Sequence, residues 1–428
     1  MSESIHFPVI ERTLPNGLRV FLLERPKLPL LSLTLLLPSG VNAEGTGEAG
    51  LAHLTASLLP QGTLHRNALR LAEDVDALGA SLGAHSDFDY SSVGLSCLAR
   101  DARQAIELLA EVVTTAALAE AEIARKRHDL LSLLERRKDD LVDRVRTRFG
   151  ELIFEGHAYS HPRLGYPESV ASLSDETIRR FYQQHYQPRG AMLAVVGHFE
   201  SASLLAQLEA AFGAWPALPG QSSVTPPSLR GGSVRVERIQ KDEVSQATLR
   251  VGAPGFRRDD PDYAAAHLLN YVLGGSGFGS RLMKNLREEK GLTYGASSSF
   301  HTRRDAGYFI SGLQTSLDHM NEALRELIHE IVTVRDHGIT EAELTWAKRY
   351  FTGSLPLSFQ TNDQLATHVL EQALYGLEPE FWLADIERMK AATLSEVNAV
   401  ARRYLRIEES TIVVLADFRN HELEVPAI

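Results

Sequence analysis

The sequence around His53 has the frame of a zinc-binding helix from which most of the functional groups are missing. A helix of the type H-x-x-E-H holds two imidazoles one turn apart, beside a glutamate that accepts a proton from the zinc-bound water. Here Ala56 takes the place of the glutamate, and Ser57 takes the place of the second histidine. A methyl group accepts no proton and a neutral hydroxyl is a poor zinc ligand, so we expect this chain alone not to hydrolyse peptides.

The elements that must position these residues are predicted from local patterns. Asn16-Gly17 predicts a hairpin, because a two-residue turn of this type matches the twist of paired strands. Period-2 and apolar patterns predict further strands, and helical periodicity predicts the segments between them. The predicted strands are 9–13, 18–23, 31–37, 91–98 and 191–196, and the predicted helical segments are 50–59, 68–78, 102–113 and the long charged run 120–155.

The order of elements in the first half recurs in the second. Phe199 and Phe418 lie in similar segments 219 positions apart, and Ala52-His53-Leu54 resembles Ala266-His267-Leu268. A proline-, glycine- and serine-rich stretch separates the halves and is typical of an exposed linker. We therefore predict an α+β fold of two homologous tandem α/β-sandwich domains with mixed or antiparallel sheets. The predicted boundaries are 1–214 for the first domain, 215–232 for the linker and 233–428 for the second domain.

Composition excludes several classes of protein. The chain has 428 residues, a formal net charge of −11 and one cysteine, Cys97. The negative charge argues against nucleic acid or an anionic membrane surface as a partner, and a single cysteine excludes an internal disulfide framework. The apolar stretch 28–38 is too short to span a membrane. No secretory leader is visible in Met1 to Pro8, so the expected location is cytoplasmic, or periplasmic if a leader was trimmed.

Several motifs together resemble the insulinase/pitrilysin family of inverted zinc metallopeptidases, in particular the two-subunit type represented by mitochondrial processing peptidase. The resemblance covers nearly the whole chain, and the combination of motifs is specific although each motif alone is weak. The matching segments are 14–20 (LPNGLRV), 48–53 (EAGLAH), 274–282 (GGSGFGSRL), 286–294 (LREEKGLTY), 341–344 (EAEL) and 347–350 (AKRY).

The resemblance implies a metal site that this chain does not complete. Members of the family enclose their substrate between two half-shells, with zinc in one and supporting residues in the other. The third zinc ligand of the family is a glutamate, and the register of this sequence places Leu133 or Leu134 there, with Glu135 the nearest carboxylate. We therefore expect no metal in this chain, with His53 as a remnant, and zinc in a partner subunit. His53 and His85 without a carboxylate would make at most a weak site.

The resemblance also implies residues that act on the partner's substrate. Arg287 and Tyr294, seven positions apart, match a family pair that faces the cleft from the half-shell without zinc. A guanidinium and a phenol can hold a peptide and stabilise a developing oxyanion, so we assign them a catalytic role in trans. The alternative is a surface ion pair for Arg287 and a strand cap for Tyr294.

The glycine-rich segment before this pair has two interpretations. Its spacing fits neither a phosphate-binding loop nor a dinucleotide site. The family suggests a flexible loop over the cleft that holds substrate, whereas the simpler interpretation is a helix-to-helix connection. The expected substrate-binding residues are Gly274, Gly275, Gly277, Gly279 and Arg281.

Two functions follow from these residues. The first is the non-catalytic subunit of a heterodimeric zinc endopeptidase, which binds an extended or unfolded polypeptide together with a zinc-bearing homologous partner. The second is a catalytically silent scaffold or peptide-binding protein, similar to protease-like core subunits of larger complexes. The presence of both Arg287 and Tyr294 favours the first, since a scaffold does not need the pair.

Overall fold

The structure, a computed structural model, describes residues 8–217 and 232–426, except for the side chains of residues 355 and 356. Its strands are β1 (Ile10–Thr13), β2 (Arg19–Glu24), β3 (Leu30–Leu37), β4 (Ser81–Ser86), β5 (Ser91–Leu98), β6 (Met192–Gly197), β7 (Arg235–Gln240), β8 (Gln246–Pro254), β9 (Ala296–Thr302), β10 (Gly307–Ser316) and β11 (Thr411–Ala416). Its helices are α1 (Leu51–Leu58), α2 (Ala68–Ala77), α3 (Ala102–Thr114), α4 (Glu120–Arg137), α5 (Leu141–Ile153), α6 (Pro167–Ser172), α7 (Asp175–His185), α8 (Ser201–Phe212), α9 (Tyr263–Asn270), α10 (Met320–His337), α11 (Glu341–Ser354), α12 (Asn362–Tyr375), α13 (Phe381–Ala391) and α14 (Leu394–Tyr404).

The strands form two sheets with the same topology. The first has the order β1-β2-β6-β3-β5-β4 and the second the order β7-β11-β8-β10-β9. In each sheet one pair is parallel, β2 with β6 and β7 with β11, and the remaining pairs are antiparallel. The five strands of the second sheet therefore correspond in order to β2, β6, β3, β5 and β4. The prediction of an α+β fold with an internal repeat is confirmed.

The hairpin and the first buried strand form where their sequences predict them, but the turn of the hairpin is longer than the predicted two residues. The Leu14 amide donates to the Leu18 carbonyl at 2.8 Å, so three residues, Pro15 to Gly17, make the turn between β1 and β2, and Gly17 adopts a φ of +94° that favours glycine. In β3 the alternate residues Leu31, Leu33, Leu35 and Leu37 are buried in the main core of the first unit. Because Ser32 on the other face is buried as well, the strand is covered on both sides.

The compact units differ from the two halves of the chain. The first comprises 8–135, 161–217 and 356–381, and the second comprises 136–160, 232–355 and 382–426. The helical run expected over 120–155 breaks between Arg137 and Leu141, where Asp140 caps α5 by accepting from the Asp143 amide. α5 then packs on β8 and β11 of the second sheet, whereas α12 packs on β3 and β6 of the first. Each half of the sequence thus contributes one helix to the other half's sheet.

Specific residues fix this exchange. In the second unit, a Cβ on Gly252 would lie 2.6 Å from the ring of Phe149, so that only glycine admits this helix so close to β8. In the first unit, the Arg25 guanidinium donates to the carbonyls of Phe359 (3.1 Å) and Gln360 (3.0 Å) and to Asn362 Oδ1 (3.3 Å). These bonds hold the segment that leads into α12.

Trp215, the first residue of the predicted linker, packs in the core of the first unit. Trp215 is buried and contacts the first core through Phe212, at 6.2 Å between ring centres, and its carbonyl accepts from Asn16 Nδ2. Residues 218–231 of the predicted linker lie outside the described residues. Across the described part of the chain, no helix is long and apolar enough to cross a membrane.

Candidate functional site

Helix α1, which carries His53, begins at a tightly built corner. Gly50 precedes it with a φ of +93°, and a Cβ there would lie 2.8 Å from the Leu164 carbonyl oxygen. The buried carboxylate of Glu44 accepts from the amides of Gly50 (3.1 Å) and Ala52 (2.9 Å), which satisfies two amides at the start of the helix. Burial raises the pKa of Glu44, and the two hydrogen bonds from the amides, which act to lower the pKa, offset only part of this effect. The frame of the helix is therefore intact although the catalytic groups are absent.

The residues around His53 do not form a zinc site. Ala56 is fully buried, and Ser57 Oγ donates to the Leu54 carbonyl at 2.7 Å on its own helix. At the position expected for the third ligand, Leu134 is buried in the core, while Glu135 is exposed. Within residues 8–217 and 232–426, no three His, Cys, Asp or Glu side chains are grouped so that they could hold a metal ion. The donor set at this position therefore does not fit zinc.

His85 lies on β4, the edge strand of the first sheet. Its Nδ1 is 3.1 Å from Ser92 Oγ on the neighbouring strand β5, and its ring contacts the edge of Tyr90. Partial desolvation lowers the pKa of His85, which favours the neutral ring. The contacts of His85 are thus with Ser92 and Tyr90 of the same unit.

Arg287 lies in a short π-helical segment of the second unit, Met283–Glu289. Such segments are rare and often occur at functional sites. The guanidinium carbon of Arg287 lies 4.6 Å from the ring centre of Phe278, a side chain that is itself 65% exposed. A cation–π contact of this kind orients an arginine without neutralising its charge.

Tyr294 is presented to solvent by a backbone that is fixed on both sides. Its side chain is 86% exposed. The preceding Thr293 donates through Oγ1 to the Gln314 carbonyl at 2.6 Å, and Thr315 Oγ1 donates to the Leu292 carbonyl at 2.7 Å. Gly291 makes the turn into this segment with a φ of +65°. A large aromatic residue so exposed on an anchored backbone is typical of a contact residue.

The glycine-rich segment is packed closely against its neighbours. A Cβ on Gly274 would lie 2.5 Å from the backbone nitrogen of Ser298 on β9, and one on Gly279 would lie 2.6 Å from the Trp346 ring. On Gly275 a Cβ would lie 2.7 Å from Asn270 Nδ2. Gly277 alone has open space around it, with a φ of +63°. The close packing favours the connecting role for Gly274, Gly275 and Gly279, and leaves Gly277 and its neighbour Phe278 at the surface.

Arg281, one of the expected substrate-binding residues, is bound by residues of its own unit. Its guanidinium donates twice to the carboxylate of Glu343, at 2.7 Å from both Nε and Nη2, and once to the Gly338 carbonyl at 3.2 Å. The ion pair with Glu343 raises the pKa of Arg281. A guanidinium bound in this bidentate way has little left to offer a peptide.

Two residues near Arg287 in the sequence are absent from the predicted site. Phe278 lies between Gly277 and Gly279, and an aromatic residue between two glycines is a signal for an exposed contact. Asn285 is buried behind Arg287 and donates to Glu330 Oε1 at 2.8 Å. No local pattern marks this bond, because its acceptor lies 45 positions further along the chain.

Known proteins resemble this chain in sequence and in fold. The insulinase (peptidase family M16) model matches residues 19–165, and the M16 inactive-domain model matches residues 172–351. An uncharacterized zinc protease of Streptomyces coelicolor is 29% identical over 94% of this chain and 88% of that protein. The crystal structure of a peptidase M16 inactive domain from Pseudomonas fluorescens matches with a TM-score of 0.90 and 26% identity, over 97% of this chain and 99% of that one. The periplasmic protease PqqL of Escherichia coli matches with a TM-score of 0.78 and 17% identity, over 96% of this chain and 47% of its own.

Proposed function

Because this chain belongs to the insulinase (M16) family of peptidases, we propose that it is the non-catalytic subunit of a two-chain zinc endopeptidase. Its partner is a homologous chain that carries the complete zinc-binding helix. This chain supplies Arg287 and Tyr294 to a peptide that the partner cleaves. The observation that carries the proposal is the exposed phenol of Tyr294 on an anchored backbone, in a chain whose zinc-binding helix keeps His53 but carries Ala56 and Ser57 in place of the base and the second histidine.

The chemistry assigned to the pair is hydrogen bonding to peptide carbonyls. A guanidinium carries five N–H donors and a phenol carries one O–H donor, and in this proposal both act on the same peptide unit. Donors aimed at the oxygen that becomes negative in the transition state lower the barrier to hydrolysis. The activation of water is left to the partner, since Ala56 and Ser57 provide neither a base nor a metal ligand.

The proposed substrate is an extended or unfolded polypeptide. Strands β4 and β9 are sheet edges, and an edge presents backbone donors and acceptors to which a peptide can add as a strand. A folded substrate would not expose its backbone in this form.

One of the comparisons is compatible with a paired enzyme. The Escherichia coli protease matches over only about half of its length, which leaves room in that single chain for a second unit of this size. A separate zinc-bearing chain would play the corresponding role here.

Co-expression tests the proposal. This chain should form a stable complex with a zinc-bearing homologue from the same genome, and the complex should cleave an unfolded polypeptide that neither chain cleaves alone. The matched control is the same partner with the Arg287→Ala/Tyr294→Phe variant, which should assemble and cleave poorly. Assembly of this chain into a larger complex without peptidase activity, and no pairing with the homologue, would instead establish the scaffold function.

A further inference from the structure

The π-helical segment that carries Arg287 is tied to helix α10 by one buried amide. Asn285 is 8% exposed, and its Nδ2 donates to Glu330 Oε1 at 2.8 Å and to Glu326 Oε2 at 3.2 Å. Glu326 and Glu330 are four residues apart on α10, so both carboxylates lie on the same face of that helix. Two like charges are thus directed at the two N–H donors of one side chain.

The other end of the segment is tied to the same carboxylate. Lys290 Nζ lies 2.5 Å from Glu326 Oε1, and the Lys290 amide donates to the Asn285 carbonyl at 3.0 Å. Burial alone would raise the pKa of Glu326, but the hydrogen bonds from Lys290 and Asn285 outweigh it and lower the pKa. Asn285, which precedes Arg287 in the chain, and Lys290, which follows it, therefore both bind the carboxylate of Glu326.

This arrangement fixes the direction of Arg287. In a helix with i→i+5 hydrogen bonds, two residues span roughly half a turn, so Arg287 points away from the face that holds Asn285. The amide of Gly291 donates to the Arg287 carbonyl at 3.2 Å, which connects the same backbone to the turn before Tyr294. A rotation of the segment about its axis would break the bonds of Asn285 and redirect Arg287.

We propose that Asn285 is a positioning residue, which holds the π-helical segment on Glu326 and Glu330 so that Arg287 faces the substrate. The assignment rests on the proposed function for its catalytic consequence, but not for its structural one. Asn285 itself is buried and does not contact the substrate. Its effect on turnover must therefore pass through Arg287.

The test uses Asn285→Asp, which removes both N–H donors and brings a third carboxylate to Glu326 and Glu330. Amide hydrogen exchange of the isolated protein should accelerate at least tenfold over residues 286–294, because the segment loses its anchor. In the complex, kcat should fall about tenfold with little change in KM. Combined with Arg287→Ala, Asn285→Asp should cause no further loss, because its effect requires the arginine.

Two further variants separate positioning from general damage. Asn285→Asp/Glu330→Gln restores a donor and acceptor pair with reversed direction, and should recover at least threefold of the lost kcat and of the lost protection. Glu322→Gln, which removes an exposed carboxylate from α10, should change neither.

The outcomes are separable from those of the proposed function. Unchanged exchange over 286–294 in Asn285→Asp would overturn the positioning role, whatever the activity of the complex. Faster exchange with unchanged kcat would reduce Asn285 to a structural residue. An inactive wild-type complex would contradict the proposed function, and the catalytic part of this inference would then be wrong as well. Amide hydrogen exchange would still decide the structural part.

Discussion

Arg287 lies over the ring of Phe278, with 4.6 Å between the guanidinium carbon and the ring centre, and it keeps its charge there. Six positions earlier, Arg281 forms an ion pair with Glu343 through two hydrogen bonds. Both arginines occur in the segment that the sequence marks as functional, but their surroundings differ. A ring orients a guanidinium and leaves its N–H donors available, whereas a bidentate carboxylate occupies them. This contrast supports the proposed substrate contact of Arg287 and favours a structural role for Arg281.

Within an active complex, Arg287→Ala and Tyr294→Phe should each lower kcat. Loss of one donor directed at an oxyanion typically costs about 10²–10³ in kcat, and we expect the lower end because the partner's zinc would also polarise the carbonyl. The two losses should be less than additive, because both groups would hold the same peptide unit. Steady-state kinetics on both single variants and the double variant measure this.

The control for these variants is Phe278→Leu, which removes the ring but keeps the charge of Arg287. It should reduce kcat less than Arg287→Ala does. A wild-type kcat/KM in all of the Arg287 and Tyr294 variants would mean that the pair has no part in turnover.

Arg281→Ala should lower stability and leave KM unchanged. Hydrogen bonds to charged groups contribute about 1.5–3 kcal/mol each at most, and Glu343 keeps the Thr340 amide and hydroxyl as donors, so we expect a loss of about 1–2 kcal/mol. Thermal unfolding and steady-state kinetics on the complex separate the two effects. Arg281→Lys, which keeps the charge but not the bidentate geometry, should lie between wild type and alanine. A raised KM at unchanged melting temperature would return Arg281 to the substrate site.

The purified chain alone should hold substoichiometric zinc and show no peptidase activity. A single imidazole gives weak binding, and the positions of the other ligands carry Ser57 and leucine. Elemental analysis after dialysis measures the metal content. One tightly held zinc per chain that disappears in His53→Ala would contradict the expectation.

Local elements of the fold were predictable because their signals are local. Asn16-Gly17 specifies its turn, and the alternating leucines of β3 specify a buried strand. The exchange of α5 and α12 was not predictable, since helical periodicity shows that a face is apolar but not which sheet will cover it. The need for glycine at position 252 is visible only in the structure, where Phe149 packs directly against it.

The candidate site followed the same division. Motif spacing proposes Arg287 and Tyr294, but only the structure gives the exposure of Tyr294 and the stacking of Arg287 on Phe278. The sequence gives no sign of the bond between Arg281 and Glu343, because the two residues lie 62 positions apart. The bonds of Asn285 to α10 are hidden for the same reason. Long-range polar pairs leave no periodic trace in a sequence.

Arg25→Ala should loosen helix α12 specifically. The guanidinium of Arg25 holds two carbonyls and one amide oxygen in the segment before that helix. Their loss should cost about 1–2 kcal/mol, because each is a hydrogen bond to a charged donor in a partly exposed place. Amide exchange should rise over residues 362–375 and stay unchanged over α5. Equal acceleration in α5 would show that the two exchanged helices unfold as one cooperative unit.

Stability should fall as pH decreases from about 6.5 to about 4, in part because of His267. Burial, reinforced by Arg258, lowers the pKa of His267 to about 4. Its ring packs on Tyr263 at 4.2 Å between centres, and within the described residues its buried Nε2 has no hydrogen-bond partner.

The sign follows from proton binding. Between the two pKa values the unfolded chain binds a proton that the folded chain does not, so stability is greatest above the unfolded pKa and is lost as pH falls toward the folded one. The contribution of His267 to the free energy of unfolding is on the order of 2 kcal/mol. Each pKa unit corresponds to about 1.4 kcal/mol, and the full shift is discounted because the side chain keeps some exposure to solvent. Denaturant unfolding at pH 7.5, 6, 5 and 4.5 should therefore give a smaller pH dependence for His267→Phe than for wild type. His329→Gln, at an exposed position of α10, should retain the wild-type dependence. A wild-type slope in His267→Phe would show that other groups cause the acid destabilisation.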